Sequence, residues 1–450
     1  MSHAFHPAGG ASRREFLRTS ALVTAAATVG LGASRARSEP ALPANTTRNA
    51  RTARPLKNGR LQIGVVGWGI RAREIYGFFL DDPNVEIVAI ADVVDARAAE
   101  GVRLIEERRK NGSARLALSW RDVVADPAVD AVIVTTHDAW HAEPAIAASL
   151  AGKHVYCEKP LSLTIAEGRA IASAARAGGV RFQVGSQQRS EYGHMFVRAA
   201  EAVRNGRIGR VTRITIGVGA PPKSCDLPDE ALPPGIDWDG WLGQAPERGF
   251  SSVLCPIGVH RNYPAWRNYR EYANGGLADM GAHHFDIAQW ALNMDASGPR
   301  EVVPPPDGAV TGLRFVYPNG VEMIHGGPTD CTFIGDEGTI EVSRGHLRAY
   351  RSSDRTAPDA PEILAEPTGN ELRLPRNSSH AADFLSAIRE GRDPICTAET
   401  GHRTATVCQL ANIGYALRQP LVWNAANELF EGANASTANA LVTRTARKHR

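Results

Sequence analysis

From Leu61 to Gln187, apolar runs of strand length alternate with segments of helical spacing, and few folds accept that pattern. LQIGVVG (61–67), VEIVAIAD (85–92), DAVIVTT (130–136), HVYCEKP (154–160) and VRFQVGSQ (180–187) read as buried strands. Between them lie REIYGFFLDD (73–82), ARAAEGVRLIEERRKNG (96–112), EPAIAASLAGK (143–153) and 164–178, which read as helices. Strands that each follow a helix run parallel in a doubly wound sheet. The expected class is therefore α/β, with a dinucleotide-type Rossmann domain over 61–187.

The first turn of that domain, GVVGWGIRA (64–72), follows a strand and opens a helix. Gly67 suits the tight turn, and Gly69 lets a pyrophosphate approach the backbone at the helix N-terminus. Trp68, Ile70 and Arg71 complete the turn, and Ala72 stands at the third glycine of GxGxxG. Asp92 ends the next strand 25 residues after Gly67. A carboxylate there accepts hydrogen bonds from ribose hydroxyls and repels a 2′-phosphate, so NAD is expected, with NADP the alternative. Thr136, His137 and His141 follow the strand VIVTT and border the same crevice. An imidazole there either touches the nicotinamide ribose or substrate, or is a structural helix-entry residue.

The strand ending in Glu158-Lys159-Pro160 places a lysine where open α/β sheets bind their ligands. Lys159 could take the proton of a substrate hydroxyl, helped by partial burial or by a cationic nicotinamide nearby. Downstream, GLADMGAHHFDIAQWALNM (276–294) reads as a helix with Asp279 and His283 at i,i+4 on one face. An acid beside an imidazole recurs where protons are handled. His284 and Asp286 crowd the same segment, but no HxxE or HxH spacing supports a metal, and none is expected.

Past Gln187 the texture changes. Helix 194–209, strand 211–219, hairpin patterns over 311–327 and 331–350, and late helices at 380–391 and 399–418 predict a second domain, 188–430. Successive strands without intervening helices make it α+β, with a mainly antiparallel open sheet. The Pro-, Gly- and Trp-rich loop 220–272 is long enough to suggest a functional role.

The ends differ from the middle. Net charge is +3, yet residues 1–60 and the tail TRTARKHR (443–450) carry more positive charge than that, so the middle is acidic by about nine charges. That argues against a nucleic-acid-binding core and leaves 431–450 as a solvated basic tail. Arg13 and Arg14 precede the apolar run ALVTAAATVGLGA (21–33). The run is too short to span a membrane, so 1–36 reads as a twin-arginine signal and 37–60 as a linker, implying export by the twin-arginine translocase to the periplasm. Six scattered cysteines show no metal spacing; Cys225–Cys255 could pair there, or the six could be mostly buried free thiols.

Taken together, GWGIRA, Ala91-Asp92, TTHDAWH, EKP, VGSQQR (184–189), GGLADMGAHHFDIAQW (275–290) and DPICTAETGHRTATVCQLANIGY (393–415) resemble the Gfo/Idh/MocA family, relatives of glucose–fructose oxidoreductase and inositol dehydrogenase. The resemblance runs from about 61 to 430. It implies an NAD(P)-dependent oxidoreductase moving hydride between a nicotinamide and a sugar, glycoside or polyol. Lys159 would accept the hydroxyl proton, assisted by His283 and oriented by Asp279. Glu158 would fix Lys159 and the cofactor, and Gln187 would border the nicotinamide. Arg189, His260, Tyr269 and His284 would meet substrate. Exported relatives keep the nucleotide tightly bound, and others cleave glycosides by oxidation, elimination and re-reduction, which is the alternative here. A homo-oligomer, dimer or tetramer, is usual in the family, and an open apolar sheet face would suit one.

Overall fold

The computed structural model describes residues 59–109, 114–328, 330–352 and 358–449. The expected signal (1–36) and the linker up to residue 58 lie outside the described residues. Six strands, β1 (Leu61–Val66), β2 (Val85–Ala91), β3 (Arg115–Leu116), β4 (Ala131–Val134), β5 (His154–Cys157) and β6 (Phe182–Val184), form one sheet in the order β3-β2-β1-β4-β5-β6. Every pairing in it is parallel. The order reverses between β1 and β4, which opens a crevice at their carboxyl ends. Helices α1 (Ile70–Leu80), α2 (Asp95–Arg109), α3 (Trp120–Ala125), α4 (Ala142–Leu150) and α5 (Ile165–Gly178) connect the strands. Capping boxes start α3 (Ser119 with Asp122) and α5 (Thr164 with Glu167), satisfying amides that would otherwise be orphaned.

After α6 (Met195–Arg204) comes β7 (Val211–Ile216), and then the long excursion, which holds α7 (Trp238–Leu242). Next are α8 (Gly275–Ala291), β8 (Glu301–Val303), β9 (Arg314–Val316), β10 (Glu322–His325), β11 (Cys331–Gly335), β12 (Thr339–Val342) and β13 (Leu347–Tyr350). The chain closes with α9 (His380–Glu390), α10 (Ala398–Leu417), β14 (Leu421–Asn424), β15 (Leu429–Glu431) and α11 (Ala435–Asn439). The nine later strands form a second sheet, β13-β12-β11-β7-β10-β9-β8-β14-β15. It is antiparallel except where β7 meets β10. Ile214, Ile216, Phe315, Met323 and Phe333 turn inward against Phe196 of α6 and Phe285 and Ile287 of α8. Burying each such side chain contributes about 1.5–3 kcal/mol. Helix α10 packs against α5 of the first domain and α8 of the second, so it ties the two sheets together.

Two expectations change, and one open alternative is decided. The sheet face turned away from the helices carries Arg213, Arg314 and Glu322 beside Ile324 and Val316, and Arg314 is ion-paired to Glu322, so it is not an apolar face. The tail is docked rather than solvated: Arg444 reaches Glu167, the Ala139 carbonyl and Gln244, each at 2.8 Å. Arg447 binds Asp239 and the Gly243 carbonyl, while His449 lies edge-on to Trp140. Carbonyls and carboxylates left over on the first domain and the excursion take up the positive charge. The cysteines stand as free thiols; Cys225 and Cys255 contact Arg248 and Arg97 instead of each other. No helix among the described residues is long and apolar enough to cross a membrane.

Candidate active site

A cavity of about 580 Å³ opens at the carboxyl ends of β1, β4 and β5, walled on its far side by α8 and the excursion. One end is built for a dinucleotide. Gly67 has φ +87°, and a Cβ there would lie 3.1 Å from the Thr135 carbonyl, so the close turn requires glycine. A Cβ on Gly69 would meet nothing, because that position faces open space. The first turn of α1 has no side-chain cap, and its free amides are suited to a pyrophosphate. Asp92 accepts the amides of Trp68 (2.6 Å) and Val94 (2.8 Å), which fixes its carboxylate at the cavity wall. Thr136 Oγ1, His137 Nδ1, His260 Nδ1 and His283 Nδ1 all line this cavity, are buried and lack a protein partner. Such an array fits a polar ligand the size of a dinucleotide plus a small substrate.

The excursion is laced over that end. Residues 235–237 pair with 93–95 through Asp95 N to Gly235 O (3.0 Å) and Asp237 N to Val93 O (2.8 Å). Arg97 donates to the Gly258 carbonyl (3.0 Å), Arg73 to the His260 carbonyl, and the Tyr263 hydroxyl to Glu74 (2.7 Å).

At the other end, Lys159 Nζ donates to Asp279 Oδ1 (2.7 Å) and to the Asp279 carbonyl (2.8 Å). The contact joins a strand end of one domain to a helix of the other. Burial opposes ionisation of Asp279, but Lys159 and then Arg267 outweigh it and hold the carboxyl below its usual range. One turn on, His283 is driven well below the ordinary histidine range by burial, reinforced by Lys159 and Arg344, and is therefore a neutral imidazole. Glu158 is buried as well. Burial pushes it up, yet Arg71 and Lys159 bring its carboxyl below normal, and Arg71 Nε sits 2.8 Å from it. Gln187 donates to Glu158 at 2.9 Å, so Arg71, Glu158 and Gln187 form one support behind Lys159. Asp138, fully buried beside them, is pushed up to about 7 by burial and by the charge of Asp279.

The structure gathers Gly67, Gly69, Ile70, Arg71, Asp92, Thr136, His137, Glu158, Lys159, Gln187, Asp279 and His283 around the one cavity. Other expected residues are elsewhere. Trp68 contributes its amide, while its ring is buried under α2 against Gly101. His141 does not line the cavity; its ring is held between the carbonyls of Pro160 (2.7 Å) and Thr136 (3.1 Å), which is the structural role. Arg189 is buried in two bidentate pairs with Asp286 and Asp295 at 2.7–2.9 Å, so it does not meet substrate. Tyr269 packs into the cluster of Trp238, Trp241 and Leu254. His284, one residue past His283, points to the opposite side, towards Cys331 and Gln188. His260 does line the cavity, but beside Arg73 and Arg97 at the nucleotide end. Asp138, Trp241, Trp266, Arg267 and Arg344 line it too and were not anticipated. The unusual length of the excursion was the one signal for three of them.

A family model described as an oxidoreductase family with an NAD-binding Rossmann fold matches residues 61–186. Its companion, the C-terminal alpha/beta domain of the same oxidoreductase family, matches 222–450. The 1,5-anhydro-D-fructose reductase of Ensifer adhaerens is 34% identical over 38% of this chain and 46% of its own length. The chain thus spans about half the length of that relative. An inositol 2-dehydrogenase of Salmonella typhimurium is 31% identical over 66% of this chain and 79% of its own. Among solved structures, aldose-aldose oxidoreductase from Caulobacter crescentus, complexed with glycerol, superposes with a TM-score of 0.56 at 19% identity, covering 81% of this chain and 99% of that one. That likeness carries the fold.

Proposed function

Because the chain belongs to the Gfo/Idh/MocA oxidoreductase family, we propose that this cavity exchanges hydride between NAD and a carbinol carbon of a sugar, glycoside or polyol. The observation that carries the reading is the 2.7 Å contact of Lys159 with Asp279 at the wall of a cavity that also holds the dinucleotide turn. When bound, NAD supplies the two-electron acceptor at its nicotinamide. Lys159 takes the hydroxyl proton in the oxidative direction and returns it in reduction. Asp279 orients Nζ and stabilises the ammonium. His283, held neutral, hydrogen-bonds a substrate oxygen without adding charge. The Arg71–Glu158–Gln187 support keeps the lysine's strand end fixed. NAD is favoured over NADP, because Asp92 faces the ribose position and nearby Arg97 is committed to the Gly258 and Pro256 carbonyls rather than free for a phosphate.

The laced excursion and docked tail support a nucleotide retained through turnover, as an exported enzyme would need. We also propose periplasmic residence and a dimer or tetramer. The test is nucleotide absorbance of protein recovered from periplasm on adding sugars. Lys159→Ala should lower sugar-dependent reduction by about 10²–10⁴-fold. A wild-type rate in that variant would remove the lysine from the chemistry. Release of aglycone from a glycoside without net NADH would favour the oxidation–elimination alternative.

A further inference from the structure

We infer that the substrate carries an anionic group, a carboxylate or a phosphate, received by Arg267 and Arg344. This rests on the sugar oxidoreductase reading. Both arginines line the cavity that holds Lys159, Asp279 and His283, although they come from unconnected segments: Arg267 from the excursion and Arg344 from the turn between β12 and β13. Each lies over an aromatic ring. The Arg267 guanidinium carbon lies 4.1 Å from the centroid of Trp266 and 4.5 Å from that of Tyr263. Arg344 lies 4.9 Å from the ring of Tyr192, which also lines the cavity. A guanidinium attracted to a ring by its charge keeps its five N–H donors for other partners, in the planar fork that matches a carboxylate or phosphate.

Those donors are little used. Arg344 makes no ion pair or hydrogen bond with any described residue. Arg267 has a 3.4 Å contact with the Pro264 carbonyl and a 3.7 Å approach to Asp279, whose carboxylate already serves Lys159 at 2.7 Å. The charge around the reacting end also leans positive. Lys159, Arg71, Arg267 and Arg344 stand against the ionised Asp279 and Glu158, while burial discourages ionisation of Asp138 and Glu191, which line the same cavity. Arg344 is exposed at the cavity mouth, yet its charge still depresses His283, so an anion bound there lies within reach of the reacting centre. Hydroxyls alone would satisfy these forks one donor at a time; a carboxylate or phosphate engages two at once.

The experiment compares a neutral hexose, the corresponding hexuronic acid and the hexose 6-phosphate on the NAD-loaded enzyme. It measures kcat/KM for each and, by calorimetry, the dissociation constant of each. One acidic sugar should exceed the neutral one at least tenfold, and its identity tells carboxylate from phosphate. The acidic-to-neutral ratio should fall at least tenfold in Arg344→Gln and shrink with added salt. An unchanged ratio in a folded Arg344→Gln, or a neutral hexose used as well as both acids, overturns the inference while leaving the sugar reading in place. If no sugar reacts, the sugar reading fails. Calorimetry then decides the anion site alone: acid binding weakened by Arg344→Gln supports it, and absent binding ends it.

Discussion

Replacing Arg71 by methionine tests whether the support behind Lys159 is electrostatic. Arg71 Nε lies 2.8 Å from Glu158, whose side chain is 5% exposed against 26% for the arginine. Breaking a buried pair by removing one partner costs about 3–5 kcal/mol, because the other charge is left without compensation. Here the Gln187 amide (2.9 Å) and the Lys159 backbone amide (3.3 Å) remain on the carboxylate, and a quarter of Arg71 is already wet. The expected loss is therefore about 2–3 kcal/mol, below that range. Its pH dependence identifies the cause. Burial pushes Glu158 up, but Arg71 and Lys159 hold its folded-state carboxyl below normal. Its stabilisation is thus present above the unfolded value, about 4.3, and is lost as pH falls through the folded one. In Arg71→Met burial is less opposed and the carboxyl rises, so a penalty develops above the unfolded value instead. Both changes widen the gap between parent and variant from pH 4 to pH 7. Urea denaturation of nucleotide-free protein, followed by circular dichroism, should show a larger difference at pH 7 than at pH 4. An equal difference at both values would refute the electrostatic account and leave Arg71 as packing.

Asp138 should titrate the fold in the opposite sense. Burial, with the nearby Asp279 charge, pushes it up to about 7, so the folded state keeps a proton that the unfolded chain has already lost and stability falls as pH rises from about 4 to 7. Asp138→Asn should remove that slope, gaining on the order of 4 kcal/mol at pH 7.5 and little at pH 4 in the same denaturation assay. A gain equal at both pH values would contradict it. Deleting residues 444–450 removes the ties of Arg444 and Arg447 between the first domain and the segment carrying Trp241. Release of bound nucleotide, followed by its fluorescence, should quicken at least fivefold while kcat holds; an unchanged release rate would show that the tail is not a latch.

What could be read from the chain follows from how local each signal is. Parallel strands buried on both faces announce themselves as unbroken apolar runs, and the i,i+4 spacing of Asp279 and His283 is a property of a single helix. The two-residue β3 and the short α3 carry no such run, yet Leu118 and Trp120 between and within them wall the nucleotide end. Arg189 illustrates the limit more sharply. Its segment resembles a substrate loop, but its fate is decided by Asp286 and Asp295, about a hundred residues away, which bury it in ion pairs. Arg344 is the converse, a turn residue with no motif around it, brought to the cavity by the register of β12 and β13. The Lys159–Asp279 contact itself is of this non-local kind. Lys159 and Asp279 lie 120 residues apart on different domains, so their 2.7 Å hydrogen bond exists only when those domains are packed. That packing runs through α10, where Arg169 of α5 binds both Glu399 and Glu428 and His402 donates to Glu428 (2.8 Å). A weakened α5–α10 seam should therefore lower activity without any change to a residue that touches substrate, because it loosens the one geometry in which the lysine meets its acid.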